Sequence, residues 1–333
     1  MGAKMKAGKV SESVLRRSVL KQLHKVSPAK GDGPGVGKDF ARLCPGEGSS
    51  MVCAVATMPF WYEGSVGATI HRACNNLYCA FAKPKGIMVS LLLPTSATEQ
   101  MLRDIMGEIA GVCEAEQLLV LGGHTEVVRS VNQVTLSITA VGEVLGDVCA
   151  TALGVKPGMD ILVSKWIGME GTTVLAKTRE EELKTRYSAP FLEKAKRFET
   201  CLSIRSEAAV AAMSGVVAMH DISEGGIYGA LWELAQCNGV GLEIDLKKIP
   251  IRQETVEICE FFDINPYKLL SGGSVLMAAV DGTSVVREME RAGGMAAVIG
   301  KATDCNDRLL ICEEERRFLE TTQTDELWKV LGH

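Results

Sequence analysis

Three glycine-bearing segments, at residues 30–39, 122–126 and 220–226, constrain the fold of this 333-residue chain most. Each combines glycine with carboxylate, amide or hydroxyl side chains. Glycines let backbone amides approach an anion closely, and carboxylates hold the metal ion that offsets its charge. The first segment can be neither helix nor strand interior. The sequence therefore offers three candidate platforms for phosphate and metal binding.

Length and composition indicate a globular protein of two domains. A chain of 333 residues is too long for one ordinary core, and 47% hydrophobic with 23% charged residues is a globular composition. A turn at 155–158 precedes an apolar strand at 160–164, so we place the domains at 1–153 and 154–333. The net charge of -5 gives no electrostatic reason to expect nucleic acid or an anionic membrane as a partner.

Apolar periodicity predicts helices and strands that interleave without regular alternation, which favours α+β halves over a doubly wound sheet. In the first half we predict helices at 10–24 and 68–79, and strands at 51–57, 87–93, 118–121 and 134–139. Ser96 and Glu99 form a capping-box signature for a further helix. In the second half we predict helices at 208–219 and 227–238, the latter ended by Asn238 and Gly239.

The cysteines point to a reducing compartment. There are 11 of them, without a Cys-x-x-Cys pair, so the close ligand spacing of zinc sites is missing. Most lie among apolar neighbours, where free thiols act as small core residues. The first eleven residues lack the apolar segment of a secretory signal, and no stretch reaches the roughly 18 apolar residues of a membrane helix. We expect a cytoplasmic protein.

Each glycine segment also has a purely structural interpretation. Residues 30–39 suit a flexible surface loop, and 122–126 suit a tight turn capped by His124. Gly225 and Gly226 expose amides at a helix start, where the dipole favours an anion, but Asp221 or Ser223 could simply cap that helix. Periodicity and spacing leave both interpretations open for all three segments.

Together the segments resemble the aminoimidazole ribonucleotide (AIR) synthetase superfamily. Residues 122–126, Gly-Gly-His-Thr-Glu, resemble its glycine-glycine-acid or histidine-threonine motif, and 219–226 resemble its second-domain Asp-x-Thr-x-Gly-Gly motif. Residues 156–160 with 168–172, and 264–266 with 270–274, are similar to further second-domain signatures. The similarity runs from about residue 8 to 315 with the motifs in order, and is strongest to synthetase-related proteins near the hydrogenase maturation protein HypE.

The resemblance implies a two-domain α+β fold and a homodimer in which the first domains join their sheets. It implies that ATP is held between domains with magnesium, and that its γ-phosphate goes to a carbonyl, thiocarbamate-type or phosphate oxygen of a small molecule. The implied catalytic residues are His124, Glu126 and Asp221, and the implied metal ligands are Asp39, Glu126 and Asp221. The implied nucleotide-binding residues are Gly35, Gly37, Asn75, Gly122, Gly123, Thr125, Gly225 and Gly226.

The chain departs from the family pattern in its first half. Met58 and Asn76 stand where the family has aspartates, and Phe81 stands where relatives tend to have glycine. A thioether cannot ligate magnesium, and an amide lacks the charge of a carboxylate. A second hypothesis is therefore an inactive nucleotide- or partner-binding homologue with a regulatory role. Hydrogenase maturation by dehydration is least favoured, because that dehydratase works through a C-terminal cysteine and the last cysteine here is Cys312.

Overall fold

The computed structural model describes residues 12–21, 35–38, 41–46, 49–144, 153–321 and 324–332. The predicted metal ligand Asp39 lies outside these ranges. A short helix α1 (Glu12–Val14) continues as a π-helix (Leu15–Leu20). It lies on the second half of the chain, because Trp232 Nε1 donates a hydrogen bond of 3.1 Å to Glu12 Oε2.

The first half forms a five-stranded sheet in the order β1-β2-β5-β3-β4. Only the β3–β4 pair in this sheet is parallel, and β4 is an edge strand. Its elements are β1 (Ala41–Gly46), β2 (Ser49–Thr57), α2 (Ser65–Tyr78), β3 (Lys83–Pro94), α3 (Glu99–Glu116), β4 (Leu119–Val128) and β5 (Thr135–Val144).

Residues alternate along β2 as a sheet with one covered face requires. Val52, Ala54 and Ala56 are buried, and α2 packs against this strand and β5. Met51 and Val55, on the opposite face, are exposed. Within the described residues, helices therefore cover one face of the first sheet and leave the other open.

The second half forms a seven-stranded mixed sheet in the order β12-β11-β8-β10-β6-β9-β7. Its strands are β6 (Asp160–Ser164), β7 (Val216–Ile222), β8 (Gly241–Asp245), β9 (Ser274–Ala279), β10 (Ala296–Thr303), β11 (Arg308–Cys312) and β12 (Glu315–Phe318). Its α-helices are α4 (Met169–Thr178), α5 (Glu180–Leu183), α6 (Ala189–Lys196), α7 (Arg205–Met213), α8 (Gly226–Asn238), α9 (Gln253–Phe261), α10 (Gly282–Arg291) and α11 (Leu327–Leu331).

The predicted α+β fold of two domains is confirmed, and each half has its own sheet. The boundary near residue 153 stays a prediction, since 145–152 lie outside the described ranges. One apolar cluster nevertheless joins the halves: Leu77 and Ile138 of the first belong to the same cluster as Met219 and Met277 of the second. Every helix within the described ranges is too short or too polar to span a bilayer.

Three local predictions were wrong. The helix expected at 208–219 ends at Met213, because Gly215 turns the chain with a φ of 77° before β7 begins. Ser96 does not cap α3, whose N-cap is Thr98 with its hydroxyl accepting from the Met101 amide at 3.2 Å. The strand expected to end at Leu121 continues through the two glycines to Val128.

Candidate functional site

The motif Gly122–Glu126 lies in the middle of the edge strand β4, and all five residues are exposed. The tight-turn interpretation is therefore wrong. Gly123 has a packing reason to lack a side chain, since a Cβ there would lie 2.0 Å from the Val89 carbonyl oxygen on β3. A Cβ on Gly122 would meet no described atom within 4 Å.

His124 and Glu126 form a polar pair on this strand. Their Nε2 and Oε2 atoms are 3.2 Å apart, and the side chains are 68% and 57% exposed. His124 is paired with Ser90 and Glu126 with Leu92, two residues on the same face of β3 as the exposed Met88. The pair therefore lies on the sheet face that the helices leave open, and both side chains are in contact with solvent.

The second-domain motif connects β7 to α8. Asp221 is buried near the end of β7, and α8 begins after Gly225 without a side-chain cap, so the capping interpretation of Asp221 and Ser223 is wrong. A Cβ on Gly226 would lie 2.5 Å from the Tyr267 carbonyl oxygen. The Gly225 N–H donates to Asp325 Oδ2 at 2.7 Å. Close packing explains the glycine at 226, and a left-handed φ of 87° explains the glycine at 225. The role of both glycines toward phosphate stays a prediction.

A buried ion pair crosses from the first domain to the second beside Asp221. Arg72 of α2 donates through Nη2 to Glu170 Oε1 of α4 at 2.6 Å, and through Nη1 to the Thr57 carbonyl at 3.5 Å. The Arg72 Nε is buried with no hydrogen-bond partner among the described residues. We call Arg72, Glu170, Asp221 and Glu224 the seam cluster.

The charges of the seam cluster act on one another. Burial by itself would lower the pKa of Arg72, but Glu170 first, then Glu224 and more weakly Asp221, hold that pKa above its ordinary value. Burial raises the pKa of Glu170 although Arg72 opposes the shift. Three carboxylates thus face a single fixed guanidinium where the two domains meet. Sequence reasoning missed Arg72, since nothing in the sequence separates it from an ordinary helix arginine.

Asn75 ties the domains together through both ends of its amide. Its Nδ2 donates to the Leu202 carbonyl at 2.8 Å and its Oδ1 accepts from the Ile204 amide at 3.1 Å. The side chain is buried and committed to backbone partners. Its proposed contact with a nucleotide stays a prediction, and the structure supplies a different reason for an amide here.

The glycine-rich loop reaches the second domain. Gly37 adopts a φ of 66°, and a Cβ there would lie 2.8 Å from the Glu233 carbonyl oxygen of α8. Glu233 also pairs with the buried His220, Oε2 to Nε2, at 3.0 Å. Gly37 therefore lies against the later part of α8, while Gly225 and Gly226 lie at its start.

The structure describes two of the three predicted magnesium ligands, and these two lie in different sheets of one chain. Asp39 lies outside the described residues, Glu126 is exposed on an edge strand and Asp221 is buried in the second sheet. No group of three His, Cys, Asp or Glu side chains within the described ranges is placed to hold a metal ion. Met58 is buried in the core. The metal site stays a prediction.

Two family models match this chain in sequence order. The N-terminal domain model of the AIR synthase related proteins matches residues 52–144, and the C-terminal domain model matches residues 156–312.

Individual proteins show the same similarity. The carbamoyl dehydratase HypE of Cupriavidus necator is 26% identical over 77% of this chain and 76% of its own length. A putative hydrogenase expression/formation protein of Methanocaldococcus jannaschii is 26% identical over 89% of this chain and 88% of its own length. A crystal structure of HypE in complex with ATP superposes with a TM-score of 0.68 at 18% identity, covering 97% of this chain and 98% of that one.

Proposed function

Because the chain belongs to the AIR synthase related family, we propose that it is an ATP-dependent enzyme that transfers a phosphoryl group to an oxygen of a small molecule. The observation that carries this proposal is the open strand β4. It presents Gly122, Thr125 and the His124–Glu126 pair with no covering element among the described residues. The ATP complex of the HypE protein supports nucleotide binding by this fold.

The geometry of the pair gives each residue a role in the proposed reaction. An ionised Glu126 can only accept a hydrogen bond, so the Nε2 of His124 carries the proton between them. That tautomer leaves Nδ1 as an acceptor, which suits a general base toward a substrate hydroxyl. Glycine amides and the Thr125 hydroxyl are donors of the kind that phosphate oxygens accept.

The proposal includes a homodimer that covers β4. An edge strand exposes a row of unpaired backbone groups, which makes it a template for pairing with another chain. Leu119, Leu121 and Val127 add exposed apolar side chains along this strand, and Met88 adds one on β3. Burying them against a second copy would remove apolar surface from water and enclose the motif residues.

Magnesium does not fit the described residues of a single chain, so we route no step through it. The seam cluster has a fixed cation in Arg72, which already pairs with the carboxylate of Glu170. The missing magnesium ligands would have to come from Asp39 and from β4 of a second copy of the chain. The departures Met58, Asn76 and Phe81 agree with a reduced metal site.

A second candidate function is carbamoyl dehydration in hydrogenase maturation. The similarity to the carbamoyl dehydratase HypE of Cupriavidus necator supports it. Cys312 is an exposed free thiol, although it lies on β11 and pairs with Glu315 of β12. This candidate predicts ATP consumption that depends on a carbamoyl compound. If no carbamoyl compound stimulates ATP consumption, this candidate is excluded.

ATP binding and turnover test the main proposal. A ligand that binds only the folded state raises the melting temperature by mass action, so ATP at about 100 times its dissociation constant would add about 2.7 kcal/mol of stability. We expect His124→Ala and Glu126→Gln to lower ADP formation by about 100-fold or more, the lower range for a general base. Thermal unfolding with and without ATP, and ADP release, are the measurements.

The matched control is Glu143→Gln, which removes an exposed carboxylate from β5 of the same sheet. This variant should leave both the ATP-dependent rise in melting temperature and the rate of ADP release unchanged. If ATP raises the melting temperature but no substrate leads to ADP formation, the inactive, nucleotide-binding homologue is favoured. If ATP leaves the melting temperature unchanged, both versions of the proposal are wrong.

A further inference from the structure

The C-terminal segment, residues 324–332, brings two buried carboxylates to the second-domain motifs. Asp325 is only 4% exposed and Glu326 only 6%, and both precede the short helix α11. The family model for the second domain matches residues 156–312, so both carboxylates lie beyond it. Burying a carboxylate is costly unless hydrogen bonds compensate, so the partners of these two side chains indicate what the segment does.

Asp325 joins two loops that are distant in sequence, which we call the α8 loop (residues 223–226) and the β9 loop (residues 265–273). Its Oδ2 accepts from the Gly225 N–H of the α8 loop at 2.7 Å. Its Oδ1 accepts from the Leu270 N–H of the β9 loop at 3.2 Å. Glu326 holds the β9 loop a second time, because its Oε2 accepts from the Asn265 N–H at 3.1 Å. The segment therefore ties the backbones of both loops together.

The two loops also pack directly against each other. The Ser271 N–H donates to the Ser223 carbonyl at 3.4 Å. A Cβ on Gly226 would lie 2.5 Å from the Tyr267 carbonyl oxygen and 2.8 Å from that of Leu269. Since packing this close leaves little free space, a shift of one loop displaces the other.

The β9 loop holds helix α4, which carries Glu170 of the seam cluster. Ser271 Oγ accepts from the Gly168 N–H at the helix start, at 2.7 Å. The Gly272 N–H donates to the Glu170 carboxylate, and a Cβ on Gly272 would lie 2.1 Å from Glu170 Oε2. The loop that Asp325 ties therefore fixes both the start of this helix and the carboxylate of Glu170.

The α8 loop carries Glu224, which directly precedes the Gly225 amide. Burial raises the pKa of Asp325, and Glu224 raises it further. Burial lowers the pKa of Arg72, whereas Glu170 and then Glu224 raise it. The charge of Glu224 therefore lies near both residues. Within the described residues, Asp325 itself accepts from three backbone amides and from no side chain, so it reaches the seam cluster through the loops.

We propose that Asp325 is a positioning residue of the seam cluster: through the two loops it sets where Glu170 and Glu224 meet the guanidinium of Arg72. A carboxylate that only anchored the C-terminal segment would affect its own amide partners and leave Arg72 unchanged. The proposal rests on the proposed function only in taking the seam cluster as part of the site. Its tests use no nucleotide, so they fail or succeed independently of phosphoryl transfer.

NMR spectroscopy of isotopically labelled arginine measures the effect on Arg72, whose buried Nε–H is assigned by its loss in Arg72→Lys. In Asp325→Asn one loop loses its acceptor whichever way the amide turns, because an amide nitrogen only donates. Asparagine has the shape of aspartate and the Glu326 tie remains, so the fold is kept. We expect the Arg72 Nε–H to exchange with solvent at least about tenfold faster than in the native chain.

The matched control is Asp281→Asn, which alters another aspartate of the second domain that accepts from a backbone amide, that of Ser284 at 3.0 Å. It should leave the exchange of the Arg72 Nε–H unchanged. A second variant, Ser271→Ala, interrupts the route from the β9 loop to α4 without touching Asp325. It should speed the same exchange.

A double-mutant cycle of Asp325→Asn with Glu170→Gln gives an independent measurement by urea unfolding. Substitutions at independent sites change the unfolding constant by factors that multiply to within about twofold. Because both substitutions disturb the same arrangement, we expect the double variant to be destabilised at least about fivefold less than the product of the single effects. Asp281→Asn with Glu170→Gln should follow the product.

Three results would overturn the proposal. The first is an Arg72 Nε–H that exchanges at the native rate in Asp325→Asn or in Ser271→Ala. The second is a cycle in which the effects of Asp325→Asn and Glu170→Gln multiply. The third is an equal rise in exchange in Asp281→Asn, which would show that the Nε–H responds to any loss of stability.

Discussion

Asp325 is the residue whose contacts explain most about the start of α8. Its Oδ2 accepts from the Gly225 amide at 2.7 Å, and its Oδ1 accepts from Leu327 at 2.9 Å and Leu270 at 3.2 Å. Burial raises the pKa of this carboxyl to about 7, with Glu224 raising it further against the three amides. The sequence predicted that the Gly225 amide binds a phosphate. In the structure this amide donates to the Asp325 carboxylate of the same chain.

The raised pKa of Asp325 predicts a pH dependence of stability. An unfolded aspartate titrates near about 4, so the folded state holds this proton more tightly than the unfolded state. The resulting stabilisation is present below about pH 4 and is lost as the pH rises through about 7. We expect the free energy of unfolding of Asp325→Asn to fall less between pH 4 and 8 than that of the native chain. Urea unfolding at four pH values measures it.

The exposed Asp263→Asn is the control for that experiment, and its profile should follow the native one. Parallel profiles for Asp325→Asn and the native chain would show that Asp325 titrates normally in the folded state. The site residues are therefore of two kinds. Asp221 could be singled out from its motif, whereas Asp325 and Arg72 matter only because the fold brings them to distant backbone or side-chain partners.

At the scale of elements, β4 shows what a sequence pattern can and cannot predict. Leu119, Val120 and Leu121 indicated a strand, but the two glycines after them are typical of a turn, so the rest of the strand was missed. Parallel pairing with β3 extends it to Val128, with Gly123 needed because the Val89 carbonyl lies so close. At 208–219 the error was similar: short apolar runs suit a helix and a buried strand equally.

The exposed edge of β4 predicts self-association through this strand. Lysine on an edge strand opposes pairing with a second chain, because its charge would have to be desolvated there. We expect the double variant Leu119→Lys, Val127→Lys to weaken dimerisation by at least about tenfold, or about 1.4 kcal/mol. Leu119 is 66% exposed and Val127 is 58% exposed, so the fold itself should tolerate both changes.

Sedimentation velocity over a concentration series measures the dimer. Val280→Lys is the control, because it replaces an apolar residue that is 74% exposed in the second domain. It should leave the association constant unchanged. A native chain that stays monomeric, or a double variant that dimerises as well as the control, would mean that β4 is not the interface.

For the whole molecule, the joint between the domains is what the sequence could not predict. Length and the turn at 155–158 indicated two halves, and the two sheets agree with them. The joint, however, is made by residues far apart in sequence: Arg72 with Glu170, and Asn75 with Leu202 and Ile204. No periodic pattern reports such pairs. The Arg72 cation donates to the Thr57 carbonyl, which precedes Met58 in the sequence.

Arg72 joins the domains through Glu170, and one set of variants tests whether it also acts on a substrate. Arg72→Ala leaves Glu170 buried without its partner, and breaking a buried pair from one side costs about 3–5 kcal/mol. Replacing both partners with neutral residues of similar size is far less costly. In Arg72→Met, Glu170→Gln the glutamine oxygen still accepts from the Gly272 amide, so we expect stability to return to within about 1 kcal/mol of native.

Urea unfolding measures the stabilities, and ADP release measures turnover on the same proteins. Glu170→Gln alone should lose less stability than Arg72→Ala, because a neutral amide can still accept from the guanidinium. If Arg72 only joins the domains, the double variant regains turnover together with stability. If stability returns while turnover does not, and Glu170→Gln alone keeps its turnover, the guanidinium contacts the reacting groups through its free Nε–H. A double variant as unstable as Arg72→Ala would contradict the account of the joint itself.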